Sequence, residues 1–195
     1  AIIFSNTSIT FGNYTLTEKA DGFEFDGVIS NQGLCDCRCF QGSVSGYSTG
    51  GSGPPVRLNT IEKFPFSADS NSSDIGDLTS ARSGATGQSS ETSGYSSGGR
   101  EDGVPAVLTI DKFPFSSDTN ATDVGDLSIC RRNVSGQSSI ASGFGYTTGG
   151  YSPPGFQTRI DRFPFAADGN ATDIGTLSAG GNYAPAGQSS PISGY

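Results

Sequence analysis

Histidine, methionine and tryptophan are all absent from this chain of 195 residues. Without histidine the chain cannot build a Ser-His-Asp or Cys-His nucleophile, a histidine-ligated zinc or copper site, or the usual side-chain switch near neutral pH. Among the common catalytic schemes this leaves those that use carboxylates alone. The sequence therefore predicts a protein that is not an enzyme.

Positive charge is scarce, with 11 Lys and Arg against 19 Asp and Glu and a net charge of -8. The longest basic run is the pair Arg131-Arg132. Binding to nucleic acid or to an anionic membrane surface needs a basic face. No apolar run approaches the length of a membrane span. We therefore expect no nucleic-acid partner and no membrane insertion.

Large apolar residues are also sparse, since hydrophobic residues make up 33% of the chain and glycine alone numbers 29. Many short strands joined by Gly- and Ser-rich turns have this kind of composition. No segment has convincing helical periodicity. The composition and the pattern together predict an all-β chain.

What the sequence does contain is a repeat of about fifty residues. Its clearest marker is the segment Ile61–Phe66, which returns as Ile110–Phe115 and Ile160–Phe165. An Asp/Asn-rich turn, an acidic-glycine strand and a Gly-Gln-Ser-Ser segment follow each of these markers. A period of this length is typical of stacked or radially arranged units, each too small to bury its own core.

Each unit is predicted to contain four short strands, which in one complete unit cover 83–89, 93–98, 106–115 and 122–129. The third of these strands has a register conflict, because Leu108 and Ile110 have one parity whereas Phe113 and Phe115 have the other. A β-bulge near Asp111 would resolve the conflict, and so would burial of the strand on both faces.

Four-stranded units of this length predict the blades of a β-propeller, about four in number. The repeats occupy 39–195, with complete units at 83–129 and 132–178 and partial ones at 39–80 and 183–195. Residues 1–38 match the repeat poorly and are predicted to form N-terminal strands near 9–11, 14–17 and 22–27, with a hairpin turn at Gly12-Asn13 between the first two. Those strands would either complete a blade or be exchanged between subunits to build a fibre. The sequence favours neither alternative.

The units resemble kelch repeats. Arg82 and Arg131 match the kelch arginine, and double glycines stand where kelch blades carry theirs, at Gly50-Gly51, Gly98-Gly99 and Gly149-Gly150. The detailed sequence is similar to kelch-like repeats of tail-fibre and other virion structural proteins of aquatic bacteriophages. The segments that carry this similarity are Lys-Phe-Pro-Phe, Asn-Ala-Thr-Asp-Val-Gly-Asp-Leu and Gly-Gln-Ser-Ser. This similarity covers about 40–195. The chain departs from it at Gly180-Gly181, where an arginine is expected, and in lacking the kelch tryptophan.

The resemblance implies a structural or host-attachment protein of a virion tail fibre or similar appendage. Such a protein would assemble with itself, contact host surface glycans, and reside outside the cell or on the virion surface. An alternative of a different class is a secreted, N-glycosylated subunit of an extracellular filament or adhesin built from the same repeats.

One polar turn has the oxygen-rich composition of a calcium loop. Asp118, Asn120, Asp123 and Asp126 are spaced as oxygen ligands could be, without the closing glutamate of an EF-hand. The competing interpretation is that these side chains cap and fix a turn through bonds to the backbone. Thr176 replaces the last carboxylate in the third unit and favours this second interpretation. No other cofactor is predicted.

Six asparagines head Asn-x-Ser/Thr sequons, which a secretory pathway could glycosylate. Three of them recur at the same polar turn of the repeat, where Asn and Thr are also simply favourable turn residues. The six are Asn6, Asn13, Asn71, Asn120, Asn133 and Asn170.

The four cysteines are unevenly placed. Cys35, Cys37 and Cys39 alternate along one segment, so their side chains would share a face of a strand and could hardly pair with one another. Cys130 could bridge to one of them, and we expect a structural disulfide. The spacing is not that of a zinc knuckle.

Glycine-flanked tyrosines recur in the units and have two interpretations. Tyr47, Tyr95, Tyr146 and Tyr151 could present aromatic platforms to glycans, since Tyr supplies amphipathic contact area at small entropic cost. Alternatively they pack between blades, and their position on strands favours this role.

Overall fold

The computed structural model describes residues 8–11, 14–19, 22–26, 44–53, 55–178, 180–190 and 193–194. These residues form strands, turns and bends, with no helix among them, and the strands pair in antiparallel sheets. The predicted all-β class is therefore confirmed. None of the described residues forms a helix with the length and apolarity needed to cross a bilayer. Contacts divide the chain into two compact units, Ala1–Arg38 and Cys39–Tyr195.

The first unit contains a three-stranded antiparallel meander of β1 (Ser8–Phe11), β2 (Tyr14–Lys19) and β3 (Gly22–Asp26). Ile9 is opposite Leu16, and Leu16 is opposite Phe25. Strands predicted near 9–11, 14–17 and 22–27 are thus present. The predicted Gly12-Asn13 turn lies outside the described residues.

The second unit contains three successive antiparallel sheets, one for each copy of the Phe-Pro-Phe marker. The first sheet has β4 (Ser45–Gly53), β5 (Val56–Pro65) and β6 (Ser73–Asp77). The second sheet has β7 (Thr86–Ser89), β8 (Ser93–Ser97), β9 (Thr109–Pro114) and β10 (Thr122–Asp126). The third sheet begins with β11 (Ser135–Ser139) and β12 (Phe144–Thr148). After a short hairpin of β13 (Tyr151–Ser152) and β14 (Gly155–Phe156), it ends with β15 (Arg159–Pro164) and β16 (Thr172–Thr176).

The register conflict of the third strand is resolved by burial on both faces. In β9, Ile110 and Asp111 are adjacent and both fully buried, and Phe113 is 2% exposed. The bulge lies in the neighbouring strand, because Asp111 is opposite Asp123 while Ile110 is opposite Gly125. The extra residue in β10 is therefore Val124, and the same irregularity recurs opposite β5 and β15.

The apolar core lies between consecutive sheets. One cluster joins Ile61 and Leu78 of the first repeat to residues of the second, namely Phe113 and Ala121. The next cluster joins the second repeat to the third through Tyr95, Ile110, Leu127, Phe163 and Ala171. Because each cluster needs two sheets, the sheets stack in sequence order and depend on their neighbours for burial.

Candidate functional site

Within the second unit, one buried ion pair connects the first sheet to the second, and another connects the second sheet to the third. Arg82 follows β6 and its Nη2 lies 3.0 Å from Asp111 Oδ2 in β9. Arg131 follows β10 and its Nη2 lies 2.7 Å from Asp161 Oδ2 in β15. All four side chains have 0% exposure. We call the surfaces joined in this way the inter-sheet interfaces.

The aspartate of each pair is held by further hydrogen bonds. Asp111 accepts from Thr79 N at 2.9 Å and from Thr79 Oγ1 at 2.7 Å. Asp161 accepts from Ser128 N at 2.9 Å and from Ser128 Oγ at 2.6 Å. Each carboxylate therefore ties the segment after the outermost strand of one sheet, β6 or β10, to β9 or β15 of the next sheet.

The arginines are less completely satisfied. Arg82 Nη2 donates to Ser96 O at 2.9 Å, and Arg131 Nη1 donates to Gly149 O at 3.0 Å. Nε of both arginines, and Nη1 of Arg82, find no hydrogen-bond partner among the described residues. Burial lowers the pKa of both arginines, and the adjacent aspartate opposes that shift. These arginines are held in place by a neighbouring sheet at a cost in desolvation.

At the outer strand, an asparagine side chain links the sheets. Asp77 N donates to Asn120 Oδ1 at 3.0 Å, and Asp126 N donates to Asn170 Oδ1 at 3.0 Å. The residue after each asparagine completes the contact, because Ala121 N donates to Asp77 O at 2.8 Å. The Asp/Asn-rich turn recurs at the same place in each repeat because it contacts the outer strand of the preceding sheet.

An exposed ion pair flanks each of these turns. Lys63 Nζ lies 3.0 Å from Asp118 Oδ1, and Lys112 Nζ lies 2.8 Å from Asp168 Oδ1. The hydrogen bond to the aspartate raises the pKa of each lysine. Pairs as exposed as these contribute little to stability.

The tyrosines of β4 and β8 pack on the Phe-Pro-Phe segment of the following sheet. The Tyr47 ring lies 4.9 Å from Phe115, and the Tyr95 ring lies 5.1 Å from Phe165, centroid to centroid. Tyr95 is 3% exposed, and burial raises the pKa of its hydroxyl. Tyr47 and Tyr95 thus serve inter-sheet packing. Tyr146 is the equivalent residue of the third sheet and is half-buried.

The Gly-Gln-Ser-Ser segments form the inner part of the interfaces. Ser89 N donates to Ser138 Oγ at 3.0 Å, and Ser138 N donates to Ser189 Oγ at 3.2 Å. Gln88 Nε2 donates to Tyr146 O at 2.9 Å. Glycine is required here because a Cβ at Gly136 would collide with the Gly87 carbonyl oxygen. The three copies therefore stack on one another.

A cavity of about 670 Å³ lies beside these inner segments. Residues 87–89, 136–138 and 187–189 line it together with aromatic side chains such as Tyr47 and Phe64. Its charged lining residues are Lys63 and Glu91. The lining is mainly backbone, amide, hydroxyl and aromatic groups.

The four residues of the predicted calcium loop are engaged in turn and interface contacts. Asp118 pairs with Lys63, and Asn120 accepts the hydrogen bond described above. Asp123 Oδ1 accepts from Gly125 N at 3.1 Å, as a turn cap does. In the part of the chain that the structure describes, no group of three or more His, Cys, Asp or Glu is arranged to hold a metal. These contacts fit the turn-capping interpretation, and the calcium site stays a prediction.

The predicted sequons lie in different settings. Asn71, Asn120 and Asn170 are exposed in the polar turns. Asn133 is half-buried and has a positive φ of 53°. Asn6 and Asn13 lie outside the described residues. Glycosylation stays a prediction.

Of the four cysteines considered for the predicted disulfide, Cys130 is the one that lies among the described residues. Cys130 is half-buried and free of any bridge to a described residue, and its Sγ lies 3.8 Å from Ser152 Oγ. Cys35, Cys37 and Cys39 lie outside the described residues. The disulfide therefore stays a prediction.

Tyr151 belongs to an aromatic cluster that does not recur among the described residues of the first and second sheets of the second unit. Its ring lies 5.7 Å from Phe156 and 6.3 Å from Tyr183, and the Arg132 guanidinium lies 4.9 Å from its centroid. Phe156 is 58% exposed and Tyr183 54%. Phe156 and Tyr183 were not predicted as site residues because they do not recur with the repeat. A signal for Phe156 was present in the sequence, since Tyr151 and Phe156 flank Pro153-Pro154.

These features define an all-β repeat protein built from stacked antiparallel sheets. No protein-family model matches the chain, and a search of curated proteins finds no relative either.

Proposed function

We propose that the protein is a non-enzymatic structural or attachment component of a virion tail fibre or a similar appendage, exposed outside the cell or on the virion surface. The observation that carries this proposal is the use made of the recurring polar residues. Asp111 and Asp161 each bind an arginine between sheets, and Asn120 and Asn170 each bind the outer strand of the preceding sheet. A side chain used in the same contact in successive units serves the architecture, whereas an active centre needs groups that converge at one place.

In this proposal each sheet is a blade of a kelch-like β-propeller of about four blades, which would be closed by the N-terminal strands or by strands exchanged between subunits. The cavity beside the inner strands supports that arrangement. Inner Gly-Gln-Ser segments of three successive units line it together with β4 of the first sheet. Inner strands converge in this way when sheets are arranged around an axis rather than along a straight line.

The alternative is a secreted, N-glycosylated subunit of an extracellular filament. The observation that favours it is the exposure of Asn71, Asn120 and Asn170 at one recurring turn. At Asn120 the hydrogen bond to Asp77 uses Oδ1, which leaves the Nδ2 nitrogen available for a glycan.

Intact-mass spectrometry of the protein from purified native appendages or particles separates the two. We expect this chain to be present there with an unmodified mass, 20.0 kDa for these residues. A heterogeneous mass in hexose-sized steps would instead identify the glycosylated filament subunit. Absence of the protein from purified particles would contradict the virion proposal.

For the attachment role, we propose that the cluster of Tyr151, Phe156 and Tyr183 contacts host surface glycans. Exposed aromatic rings provide flat apolar contact to sugar rings, and Arg132 adds a donor beside them. The variant Phe156→Ser should weaken binding to immobilised host polysaccharide by about tenfold or more, measured by surface plasmon resonance. Val56→Ser, which alters an apolar residue of similar exposure outside both the cluster and the assembly faces proposed below, is the matched control. Equal binding by both variants and the wild type would contradict this role for the cluster.

A further inference from the structure

The third sheet is the last of the three, and its outer face has residues equivalent to those with which the second sheet contacts the sheet that follows it. Val124 of the second sheet packs on the core shared with the third, whereas the equivalent Ile174 is 45% exposed. A Cβ at Gly125 would collide with the Gly169 carbonyl, whereas a Cβ at Gly175 would meet no atom of a described residue within 4 Å. The outer face of the third sheet is therefore built like an interface that no described residue covers.

The first sheet carries the opposite half. Phe115 and Phe165 pack against tyrosines of the preceding sheet, whereas the equivalent Phe66 is 53% exposed. Asp69 and Asn71 occupy the positions of Asp118 and Asn120, and both are exposed. The groups that would bind a preceding sheet are present on this face.

The two open faces match position by position. Tyr146 would pack on Phe66 as Tyr95 packs on Phe165, and Arg162 would pair with Asp69 as Lys112 pairs with Asp168. The remaining matches place Gly175 against the turn at 69–71 and the backbone N–H of Thr176 against Asn71 Oδ1. We propose that a second copy of this chain docks its first sheet on the third sheet, so that the chains assemble head to tail.

The inner edge of the proposed contact is also complementary. Among described residues, β4 pairs on one side alone, with β5, whereas β8 and β12 each have an inner neighbour. Residues 187–189 contact β11 but form no named strand, and among the described residues they pair through one isolated bridge, Ser189–Gly194. The second copy's Ser45-Gly46-Tyr47 has the same sequence as Ser193-Gly194-Tyr195 and can replace it by strand exchange.

The proposed contact differs from the internal ones in its charge. The neutral Asn182 takes the backbone position of Arg82 and Arg131, because its carbonyl accepts from Gly150 N as theirs accept from Gly51 N and Gly99 N. Glu62 replaces the buried aspartate. Glu62 is exposed and accepts from Ser72 Oγ at 3.3 Å. Before assembly, the docking face of the first sheet is therefore exposed to water without a buried carboxylate that would need an arginine from the other copy. Heterologous contacts of this kind produce rings or filaments.

Sedimentation equilibrium of the full chain over a range of concentrations tests the inference, which rests on the proposed role as a component of a fibre or similar appendage. We expect concentration-dependent association by the wild type. Phe66→Ser and Ile174→Asp should each raise the dissociation constant by about tenfold or more, because each removes apolar contact from one of the two faces. Phe156→Ser is the control and should associate like the wild type.

A mixture of the two variants gives the sharpest result. Phe66→Ser keeps the third-sheet face and Ile174→Asp keeps the first-sheet face, so an equimolar mixture should form dimers and stop there. A wild type that stays monomeric, or variants that associate as the wild type does, would overturn the docking. Circular dichroism confirms that each variant is folded. Detection of the chain in native particles is independent of this experiment, so loss of the docking model leaves the proposed function standing.

Discussion

Replacing Arg131 with Met is expected to lower the free energy of unfolding by about 3–5 kcal/mol, because it leaves the buried carboxylate of Asp161 without its cation. Asp161 has 0% exposure, and with Arg131 removed it retains only the hydrogen bonds from Ser128. The guanidinium also donates to Gly149 O, Arg159 O and Thr147 O, so three backbone carbonyls lose a donor as well. Urea unfolding followed by circular dichroism measures the change.

The control is Lys112→Met, which removes the cation of an exposed pair at the same interface. That pair is worth about 0–1 kcal/mol, so its loss should barely shift the urea midpoint. The double variant Arg131→Met with Asp161→Leu should recover part of the loss, because no buried charge remains unpaired. Recovery is incomplete because Ser128 loses its acceptor. An Arg131→Met midpoint equal to that of Lys112→Met would contradict the assigned role of the ion pair.

Strand positions could be predicted from the sequence because the repeat shows the same pattern several times. The strands predicted at 83–89, 93–98, 106–115 and 122–129 correspond to β7–β10 and differ at their ends by at most three residues. Hydrophobic alternation failed at Ile110 and Phe113, because covering sheets on both sides remove the difference between faces. The sequence left two explanations for this strand, and only packing between sheets could decide between them.

The ion pairs could not be predicted in the same way. Arg82 was visible as part of the kelch-like pattern, and Asp111 as part of a recurring segment. Nothing in one unit shows that the arginine reaches the following unit rather than its own. The regular offset from Leu78 to Arg82 and from Leu127 to Arg131 was the available signal. Pairing across a repeat boundary depends on how the sheets stack, which local pattern does not encode.

Replacing Gly125 with Ala is expected to destabilise the protein by several kcal/mol through two separate effects. Gly125 has φ of +154°, which L side chains rarely adopt, and such strain costs about 1–3 kcal/mol. The added methyl would also collide with backbone of the next repeat, where the Gly169 carbonyl carbon lies 2.6 Å from the Cβ position. Overpacking of this kind costs about a further 1–3 kcal/mol.

Gly175→Ala separates these two effects, because Gly175 has nearly the same φ, +159°, and no described residue lies within 4 Å of its Cβ position. At a concentration where the chain is monomeric, this variant should show the backbone strain alone. The difference between the two urea unfolding energies then measures the contact between the second and third repeats. Since the bulges at Val124 and Ile174 are equivalent, local strand geometry is matched in the pair. Equal destabilisation by the two variants would show that β10 and the turn near Gly169 are not in contact in solution, and the stacked arrangement of these repeats would have to be abandoned.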